Sequence, residues 1–472
     1  MKILIASHNK GKINEYKNIL KNLNLEFLTL NDFNKIEEPE ENGLTLNENS
    51  LIKAKYYYDH FKIPVIADDT GLFIEDLNGE PGVKAARYSG KGDDENRKLV
   101  LKKLNGKKSS AYFETVVTFF DGNNVITANG ILEGTISTEE KGELGFGYDS
   151  IFYLSEYGKT LSELSSDIKN TISHRYYATC NLKRKLLFYQ DPLLELDYIK
   201  SEFLNQMNET ALEIEKLPGG MSNNTYLVKT LNNMYTARIP GINAELFVGR
   251  NLELSSLNKV KNDLSFVQYK YFDLQSGFKV SPYIIKDQEG YNIQEIGRVL
   301  NKLHSIEQFS NNFNPFERFL YYERLLNILN TKLSQDFSKL KSKIMSYRSF
   351  LEERPKVPCH NDCQLSNHIL NNAKHILIDF EFTGNNDPLF DFACLGNDDL
   401  NIGKNAYVET IGRPITSEEN KVIELWYSLQ ALSWYLVAMF KFMTGMNKTT
   451  GLDFENIATY FLKKADNLLK NY

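Results

Sequence analysis

The chain opens with the stretch KILIASHNKGK from Lys2 to Lys12, an apolar run followed by a short polar turn that contains one glycine. Lys2–Ala6 has the pattern of a buried strand of an α/β sheet, and the apolar spacing over Lys12–Leu23 is helical. A small polar turn at this junction exposes backbone N–H groups at the positive end of the helix, and Lys12 adds a charge. The stretch therefore predicts the start of an α/β domain and a phosphate-binding turn. A plain turn with solvent-facing lysines would have the same pattern.

Strand-like and helix-like patterns continue to alternate through the first 190 residues. Pro64–Ala67 predicts a further buried strand, and the turn Asp121–Asn124 is a hairpin signal between two longer strands, Tyr112–Phe120 and Val125–Ile136. Helical spacing recurs over Leu46–Phe61 and from about Ser173 to Phe188. We therefore predict an α/β domain with a mixed sheet flanked by helices over residues 1–192.

Asp191-Pro192 interrupts this alternation, and a different pattern follows. Residues 193–210 have the pattern of a helical connector. From residue 211 to residue 472, strands around Tyr226–Lys229 and Tyr235–Ile239 give way to mostly helical sequence, and a further strand pair brackets His360–Asp379. No internal repeat relates the two halves, which predicts a second, α+β domain of a different fold.

Composition limits the classes of partner. The 472 residues suggest two or three domains at roughly 100–200 residues each, and 42% hydrophobic and 25% charged residues are typical of globular chains. The net charge is −6, and the sequence has no basic arm or other basic excess, so we expect no nucleic-acid partner. The longest apolar stretch, around Ala431–Phe440, is shorter than the roughly 20 residues that span a bilayer, so we expect no membrane insertion. The four cysteines show no CxxC spacing and no disulfide density, which favours a reduced, cytoplasmic protein.

Three further motifs in the first half carry chemical groups. Asp68 and Asp69 follow an apolar strand, where adjacent carboxylates point to opposite sides and one can hold Mg²⁺ or deprotonate a water. These acids could also cap the next segment. Glu41 and Glu48 could add oxygen ligands. The glycines and the aromatic ring of Gly145–Asp149 suit a flat base stacked on Phe146. Lys169 and Ser173-His174-Arg175 form a cationic cluster for phosphates or a base carbonyl, although a His-Arg pair is often a helix surface feature.

These motifs, together with Glu48–Lys55, Pro81–Val83 and Ala86–Gly90, resemble the inosine triphosphate pyrophosphatase family. Its members hydrolyse non-canonical purine nucleoside triphosphates to the monophosphate and pyrophosphate. The resemblance implies that Asp69 is the catalytic base and a Mg²⁺ ligand and that Glu41 is a second metal ligand. It also implies a homodimer formed through this domain. The implied substrate-binding residues are Ser7, His8, Asn9, Lys10, Gly11, Lys12, Thr70, Phe146, Gly147, Tyr148, Asp149, Lys169, His174 and Arg175.

Two positions depart from the family pattern. Ser150 stands where proline usually follows the Gly-Tyr-Asp run, and Tyr176 replaces the usual glycine after His-Arg. Both adjoin predicted substrate contacts, so we expect them to affect the rate or the base preference while the charged groups stay in place.

In the second half, an acid, an amide and a second acid are spaced as in phosphotransferases. Asp362 is followed five residues later by Asn367, and Asp379 comes after the next strand. In phosphotransfer the first acid accepts a hydroxyl proton, and the amide and second acid hold Mg²⁺ on ATP. The alternative is a polar turn between two strands that has no catalytic role. Upstream, Leu217–Tyr226 suggests a hairpin that covers phosphates, and Arg238 lies on the next strand with Glu253 as a possible helix partner.

This half resembles the choline/ethanolamine kinase branch of the kinase-like aminoglycoside phosphotransferase superfamily over roughly residues 211–472. The resemblance rests on the run His360–Gln364, on the spacing of Asp379, Glu381, Asn386 and Asp391, and on Leu300–His304. It implies a bilobal protein-kinase-like domain with Asp362 as catalytic base. The other implied roles are Asn367 and Asp379 for the metal, Asn223 and Arg238 for ATP, and Gln364 and Trp434 for the substrate.

The acceptor is less determined than the chemistry. A quaternary ammonium such as that of choline is held by aromatic faces, and the segment from Trp426-Tyr427 to Trp434-Tyr435 offers candidates. Trp434 corresponds to a cage tryptophan of choline kinases, but Val437 stands where a second one is often found. Aromatic residues at helical spacing also commonly belong to the core.

We expect a bifunctional enzyme that hydrolyses dITP, ITP or XTP and transfers phosphate from ATP to choline or a similar amino alcohol. Two alternatives remain open. The kinase-like half could be a catalytically silent binding module, or it could be active on ethanolamine, an aminoglycoside or another small alcohol.

Overall fold

The computed structural model describes residues 2–23, 25–218, 222–287 and 290–472. Gly219, Gly220 and Met221, part of the predicted phosphate-covering hairpin, lie outside these residues. The chain forms two compact units. The first comprises Met1–Tyr198 and Pro240–Phe247, and the second comprises Ile199–Ile239 and Val248–Tyr472.

One mixed sheet organises the first unit. Its strands are β1 (Lys2–Ile5), β2 (Glu26–Thr29), β3 (Val65–Ile74), β4 (Pro81–Gly82), β5 (Ser109–Phe120), β6 (Val125–Ile136), β7 (Phe152–Leu154) and β8 (Lys159–Thr160). The main path runs β2-β1-β3-β5-β6-β7-β8, and β4 pairs with β3. Strand β1 is parallel to β2 and β3, whereas the later pairs are antiparallel. The predicted mixed sheet is therefore confirmed.

Helices lie on this sheet. They are α1 (Lys10–Leu20), α2 (Leu46–Phe61), α3 (Asp93–Leu104), α4 (Ser166–Ile172) and α5 (His174–Gln190), followed by α6 (Leu193–Glu202), which crosses the boundary between the units. One buried core joins α1 and α5 to the sheet through side chains such as Ile13, Ile66 and Leu182. Another core includes Val100 of α3, Phe113 of β5 and Phe152 of β7.

Strand β3 is longer than the predicted Pro64–Ala67. It continues to Ile74 because every residue from Val65 to Ile74 pairs with β5, so the pairing extends beyond the apolar residues. Its parallel partner β1 ends at Ile5, opposite Ile66. Asp68 and Asp69 are consequently inside a strand, although they lie just past the carboxyl end of β1, where helix α1 also begins.

The second unit combines a five-stranded antiparallel sheet, two short strand pairs and a helical region. Its strands are β9 (Glu213–Lys216), β10 (Asn223–Lys229), β11 (Met234–Pro240), β12 (Tyr271–Phe272), β13 (Lys279–Pro282), β14 (Val357–Cys359), β15 (His368–Asn371), β16 (Lys374–Leu377) and β17 (Gly384–Asn386). The larger sheet has the order β12-β13-β11-β10-β9, while β14 pairs with β17 and β15 pairs with β16.

The helices of the second unit follow its first strands. They are α7 (Arg250–Val260), α8 (Ile293–His304), α9 (Pro315–Ile328), α10 (Gln335–Met345), α11 (Arg348–Glu352), α12 (Pro388–Leu395), α13 (Leu400–Ile411), α14 (Ser417–Met443), α15 (Met446–Thr450) and α16 (Phe454–Leu469). The predicted α+β organisation is thus observed. Within the described part of the chain, none of the helices has the length and apolarity needed to cross a membrane.

Two candidate active sites

The predicted phosphate-binding turn lies between β1 and α1 and is ordered by its own side chains. Asn9 caps α1, because its Oδ1 accepts a hydrogen bond from the backbone N–H of Lys12 at 3.2 Å. Ser7 Oγ accepts from the N–H of Asn9 at 3.1 Å, and His8 Nδ1 lies 3.0 Å from Asn31 Oδ1. Residues 8–11, which include Lys10 and Gly11, face solvent. The turn therefore presents an open helix N-terminus, which suits an anion.

Lys12 is partly buried, and its partner is Asp68. The ammonium lies 2.9 Å from Asp68 Oδ2, and the guanidinium Nε of Arg175 lies 3.6 Å from the same oxygen. Arg175 also pairs with Glu15 at 3.3 Å. Burial alone would raise the pKa of Asp68, but Lys12 and Arg175 outweigh it and hold that pKa well below its usual range. Asp68 is thus an ionised counterion for the buried Arg175 and the partly buried Lys12.

Asp69 points to a different set of partners on α2. Its Oδ2 accepts a hydrogen bond from Asn49 Nδ2 at 3.0 Å, and its Oδ1 lies 3.3 Å from the ammonium of Lys53. Lys53 also contacts Glu41 at 3.2 Å, so one ammonium joins the two carboxylates. Burial raises the pKa of Asp69, and it stays raised because the attraction of Lys53 is opposed by Glu41.

The residues around Asp69 fit a divalent cation. Carboxylate oxygens are the ligands that Mg²⁺ prefers, and a buried carboxyl group with a raised pKa gains from an added positive charge. Glu48, a further candidate, instead serves its own helix, since its Oε2 accepts from the N–H of Leu44 and the hydroxyl of Thr45, each at 3.0 Å. Thr70 Oγ1 lies 2.7 Å from Thr115 Oγ1 on the adjacent strand.

The predicted base-stacking residue Phe146 is 59% exposed in a glycine-rich loop. The ammonium of Lys169 lies 5.8 Å from the centre of its ring and pairs with Asp149, whose carboxylate also accepts from the N–H of Phe146 at 3.2 Å. At Gly145, with φ of 93°, an added Cβ would lie 2.3 Å from the Asp149 carboxylate. The loop is therefore closed tightly on Asp149 while the Phe146 ring stays open to a ligand.

Tyr148 and Gly147 of the same loop are committed to contacts within the protein. Tyr148 is buried, and its hydroxyl donates to the carbonyl of Ala85 at 2.7 Å. The N–H of Gly147 donates to Asp93 Oδ2 at 3.0 Å. These two residues are placed to shape the loop, and Phe146 is the member of the run that offers its side chain.

His174 and Arg175 are buried, so the alternative reading of a surface pair is wrong. Ser173 caps α5, and the imidazole of His174 stacks on Phe113 with ring centres 4.8 Å apart. Burial, together with the neighbouring Arg175 and Lys12, lowers the pKa of His174 well below its usual value. The imidazole is therefore neutral.

The two departures from the family pattern are accommodated locally. Ser150 Oγ donates to Glu140 at 3.0 Å, and Tyr176 packs edge-on against Tyr177 with ring centres 5.7 Å apart. Sequence reasoning missed the central position of Lys53. It lies four residues after Asn49 on α2, and this spacing on one helix face was the available signal.

In the second unit, Asp391 holds the loop that carries Asp362. The carboxylate of Asp391 accepts from the backbone N–H groups of His360 at 2.9 Å and Asn361 at 2.7 Å, and it lies 3.0 Å from His304 Nε2. The Asn361 amide donates to the carbonyls of Phe382 and Gly384. The sequence runs that were singled out around residues 304, 360 and 391 thus meet at one point.

Asp362 is buried and held by two amides. Gln364 Nε2 donates to its Oδ1 at 2.6 Å, and Asn367 Nδ2 donates to its Oδ2 at 3.2 Å. Burial raises the pKa of Asp362 to about 7, and Asp379 adds to the effect. A carboxylate with such a pKa is suited to accept a proton near neutral pH.

Arg238 lies among three acids at the other side of this site. Its guanidinium contacts Asp379 Oδ1 at 3.1 Å, pairs with Glu381, and pairs with Glu253, the partner that the sequence suggested. Burial and Asp379 raise the pKa of Glu381 above its ordinary value, against the attraction of Arg238. Asn223 also donates to Glu381. Both predicted ATP contacts therefore converge on one acidic cluster.

Arg238 and Lys279 already neutralise the inner part of the acidic cluster, and Asp379 is its member that is accessible to a further cation. Oxygen atoms of Glu253, Asp379 and Glu381 lie within 4.8 Å of one another, and the Asp379 side chain is 37% exposed. Asn367 lies beside the residue that precedes Asp379, since its backbone carbonyl accepts a hydrogen bond from the N–H of Ile378 at 2.9 Å. Asp379 and Asn367 are oxygen donors of the kind that Mg²⁺ takes.

Sequence reasoning missed two cations here. Lys279 of β13 lies 2.6 Å from Glu253, and a lysine inside an apolar strand pattern was a usable signal. Arg318 lies over the ring of Phe382, 4.1 Å from its centre, and lowers the pKa of Asp362 against the effect of burial. Its position depends on α9, far away in sequence.

The aromatic residues of α14 divide into core and non-core members. Trp426 is buried and donates through Nε1 to Asp387 at 2.7 Å, and Tyr435 stacks on Phe337 with ring centres 5.1 Å apart. These two are core residues. Trp434 is half-buried and stacks on Phe461 of α16 at 6.1 Å.

Known protein families match the two halves of the chain separately, in the order in which their motifs occur. Residues 3–185 match the Ham1 family, and residues 213–413 match a phosphotransferase enzyme family. A dITP/XTP pyrophosphatase from Thermoanaerobacter sp. (strain X514) is 45% identical over 193 residues, which are 40% of this chain and 97% of that protein. The dITP/XTP pyrophosphatase of Bacillus anthracis is 42% identical over 192 residues, or 39% of this chain and 95% of that protein.

Solved structures resemble the second half. Choline kinase LicA from Streptococcus pneumoniae is similar with a TM-score of 0.51 and 25% identity, covering 59% of this chain and all of that one. A choline/ethanolamine kinase family protein from Mesorhizobium loti has a TM-score of 0.50 and 20% identity, covering 58% of this chain and 95% of that one, and shows the fold alone. The second unit therefore has the protein-kinase-like fold of choline kinases.

Proposed function

Because the chain belongs to the Ham1 family through its first half and carries a phosphotransferase domain in its second, we propose that it is a bifunctional enzyme. The first activity hydrolyses dITP, ITP or XTP to the monophosphate and pyrophosphate. The second transfers the γ-phosphate of ATP to choline or a similar amino alcohol. The observation that supports both is a buried carboxyl group with a raised pKa in each half, Asp69 and Asp362, each held by a side-chain amide.

In the hydrolytic site, the triphosphate would bind at the start of α1, where Lys12 and Arg175 add positive charge. Asp69 would accept a proton from water as the water oxygen bonds to the α-phosphorus and the bond to the pyrophosphate oxygen breaks. When bound, Mg²⁺ held by Asp69 and Glu41 would neutralise the triphosphate and make the water more acidic.

Recognition of the base would rest on the loop of Phe146 and on Lys169 and His174. The base would stack on the exposed Phe146 ring. Donors aimed at a 6-oxo group would reject adenine, because its amino group would leave them without hydrogen bonds.

In the phosphotransfer site, Asp362 would take the proton of the acceptor hydroxyl as its oxygen bonds to the γ-phosphorus and ADP leaves. Gln364 and Asn367 orient this carboxylate. Arg238 and Asn223 would contact ATP. Asn367 and Asp379 would hold Mg²⁺, which when bound offsets the charge of the phosphates.

We further propose that the enzyme works in the cytoplasm as a homodimer formed through the first unit, as the family resemblance implies. A pyrophosphatase fused to a kinase-like module that is silent, or that acts on ethanolamine or an aminoglycoside, is the alternative. It is favoured by Val437, which stands where choline kinases often have a second tryptophan.

Two reactions on the purified full chain with Mg²⁺ test the proposal. One contains dITP or XTP and is followed by pyrophosphate release, and the other contains ATP and choline and is followed by phosphocholine formation. Asp69→Asn should reduce only the first and Asp362→Asn only the second, each by at least about 100-fold, the effect of losing a general base.

Exposed acids supply matched controls. Asp76→Asn, a few residues beyond Asp69, and Asp398→Asn, in the second unit, make the same chemical change at the surface and should leave both rates intact. Loss of both reactions in either active-site variant would contradict two separate sites. ATP binding without phosphate transfer to choline, ethanolamine or an aminoglycoside would favour the silent module.

A further inference from the structure

An ammonium of the protein itself lies among aromatic rings in the second unit. Lys464 of α16 places its Nζ 4.3 Å from the ring centre of Tyr460, 5.7 Å from that of Phe461 and 5.8 Å from that of Tyr427. The same ammonium donates a hydrogen bond to the carbonyl of Asn397. All three distances are within the roughly 6 Å over which a cation is attracted to an aromatic face.

This cluster of Lys464, Tyr427, Tyr460 and Phe461, here called the lysine cage, is connected to the proposed catalytic base. The Asn397 carbonyl that receives Lys464 also accepts from the Tyr427 hydroxyl at 3.2 Å. The Asn397 side chain donates to Gln364 Oε1 at 3.2 Å, and Gln364 in turn donates to Asp362 at 2.6 Å. Two hydrogen-bonded side chains therefore separate the lysine cage from Asp362.

Trp434, which the sequence predicts to contact the acceptor, lies beside the lysine cage, because it stacks on Phe461. The ring that was expected to face a substrate cation thus packs against a ring that already faces Lys464. Tyr460 is half-exposed, so the cluster is open to solvent on one side.

Lys464 is charged in this position. Burial would lower its pKa, but contacts with Tyr460 and Tyr427 outweigh burial, and the pKa is raised above its ordinary value. A second cation that entered the lysine cage would meet a like charge at short range, which is unfavourable, or would have to displace the lysine and lose its cation–π contacts.

We propose that Lys464 is a specificity-determining residue that competes with the acceptor's cation for these aromatic rings and thereby weakens the binding of quaternary ammonium alcohols such as choline. The inference rests on the proposed transfer of phosphate to a small alcohol at Asp362. It identifies a feature of this chain's own α16 that acts on the choice of acceptor and leaves the phosphate donor unaffected.

The test measures choline binding by titration calorimetry to the full chain without ATP, so that it does not depend on catalysis. Lys464→Met removes the ammonium and retains much of the side-chain volume. Choline should then bind at least about 10-fold tighter than to the unaltered chain, the order of effect of one desolvated cation–π contact. Lys464→Arg keeps a cation and should bind choline no tighter than the unaltered chain.

Lys421→Met is the matched control. Its ammonium also lies over aromatic rings, 4.9 Å from Tyr347 and 5.5 Å from Phe350. It makes none of the contacts that lead from Lys464 to Asp362, so its replacement should leave choline affinity unchanged. Lys464→Gln serves as a second variant if Lys464→Met does not fold, as judged by tryptophan fluorescence.

The outcomes separate this inference from the proposed function. If Lys464→Met and Lys464→Gln bind choline no tighter than the unaltered chain, the inference is wrong, whether or not phosphocholine is formed. If they bind choline at least 10-fold tighter while no variant forms phosphocholine, the inference stands and choline is wrong as the acceptor. An equal gain in Lys421→Met would show a general effect of removing lysines and would overturn the assignment.

Discussion

Asp68 and Asp69 are neighbours in the chain, yet their carboxylates have different partners and different ionisation. Adjacent residues of a strand point to opposite faces, so Asp68 meets Lys12 and Arg175, whereas Asp69 meets Asn49 and Lys53. The pKa of Asp68 is lowered and that of Asp69 is raised. One carboxylate is therefore a permanent counterion and the other is suited to exchange a proton.

We predict that Asp68→Asn destabilises the first unit far more than Asp69→Asn does. Removing the Asp68 charge leaves the buried Arg175 and the partly buried Lys12 without their shared counterion, and breaking a buried pair typically costs about 3–5 kcal/mol in the free energy of unfolding. Asp69→Asn should cost less, because the pKa of Asp69 is already raised and Lys53 keeps its contact with Glu41. Urea unfolding followed by circular dichroism measures both.

The two tryptophans of the chain supply an internal control for that experiment. Both Trp426 and Trp434 lie on α14 of the second unit, so tryptophan fluorescence follows that unit alone. Its unfolding midpoint should be the same in both variants. Equal losses of stability in Asp68→Asn and Asp69→Asn would show that the two carboxylates are not divided in this way.

At the scale of single elements, the sequence pattern predicted a helix, strand or turn correctly where the contacts that form it are between residues close in sequence. The hairpin of β5 and β6 and the strand-to-helix turn at Asn9 follow from residues close together in sequence. The length of β3 does not follow from its own residues, because its apolar pattern stops at Asp68 while pairing with β5 continues to Ile74. The pairing depends on a strand that lies about forty residues further along the chain.

The aromatic residues of α14 show the same limit within one helix. Their spacing marks one face, but only packing against α9, α10, α12 and α16 decides that Trp426 and Tyr435 are core while Trp434 meets Phe461. For the same reason the sequence around Lys464 carried no signal of its aromatic partners, and the position of Lys279 in an apolar strand pattern did not indicate that its partner is Glu253. The types of residue at the candidate sites could be predicted from the sequence. Their contacts with one another could not, because these depend on helices and strands that are distant in sequence.

Helix α14 also buries a lysine, which leads to a prediction on pH. Lys441 is fully buried, and burial lowers its pKa from 10.5 to about 8. Between about pH 8 and 10.5 the unfolded chain holds this proton more tightly than the folded chain, so stability rises with pH across that window. Lys441→Met should remove this rise and stabilise the second unit at pH 7, by up to about 3 kcal/mol.

Tryptophan fluorescence during urea unfolding at pH 7 and pH 10 measures this effect in the second unit. Lys463→Met, an exposed lysine on α16, is the matched control and should keep the dependence of the unaltered chain. A Lys441→Met variant that is less stable at pH 7 would mean that the ammonium stabilises its surroundings, contrary to the lowered pKa.

At the scale of the whole molecule, the first compact unit is not one continuous stretch of chain. It includes Pro240–Phe247, which begins at the last residue of β11. In this unit the N–H of Thr127 donates to the carbonyl of Ile242 at 2.9 Å, and the ammonium of Lys185 donates to the carbonyl of Gly241 at 2.7 Å. Lys185 also pairs with Glu245, and each of these side chains is only 3% exposed.

We predict that a fragment ending at Tyr198 folds to a less stable unit than the same residues in the full chain. Without Pro240–Phe247 the fragment leaves the Lys185 ammonium without the carboxylate of Glu245, and breaking a buried pair typically costs about 3–5 kcal/mol. The temperature at which half of the pyrophosphatase activity is lost should therefore be several degrees lower in the fragment. Lys185→Met, which removes the buried charge, should recover part of the difference.

A variant of the full chain separates the loss of this ion pair from the loss of the segment. Glu245→Gln keeps Pro240–Phe247 in place but removes the charge, so it should destabilise the first unit by a large part of the same amount. Glu213→Gln makes the same change in an exposed pair with Lys229, and exposed pairs contribute less than about 1 kcal/mol. If the fragment and the full chain lose activity at the same temperature, residues 240–247 are dispensable to the first unit. Its domain would then end within α6.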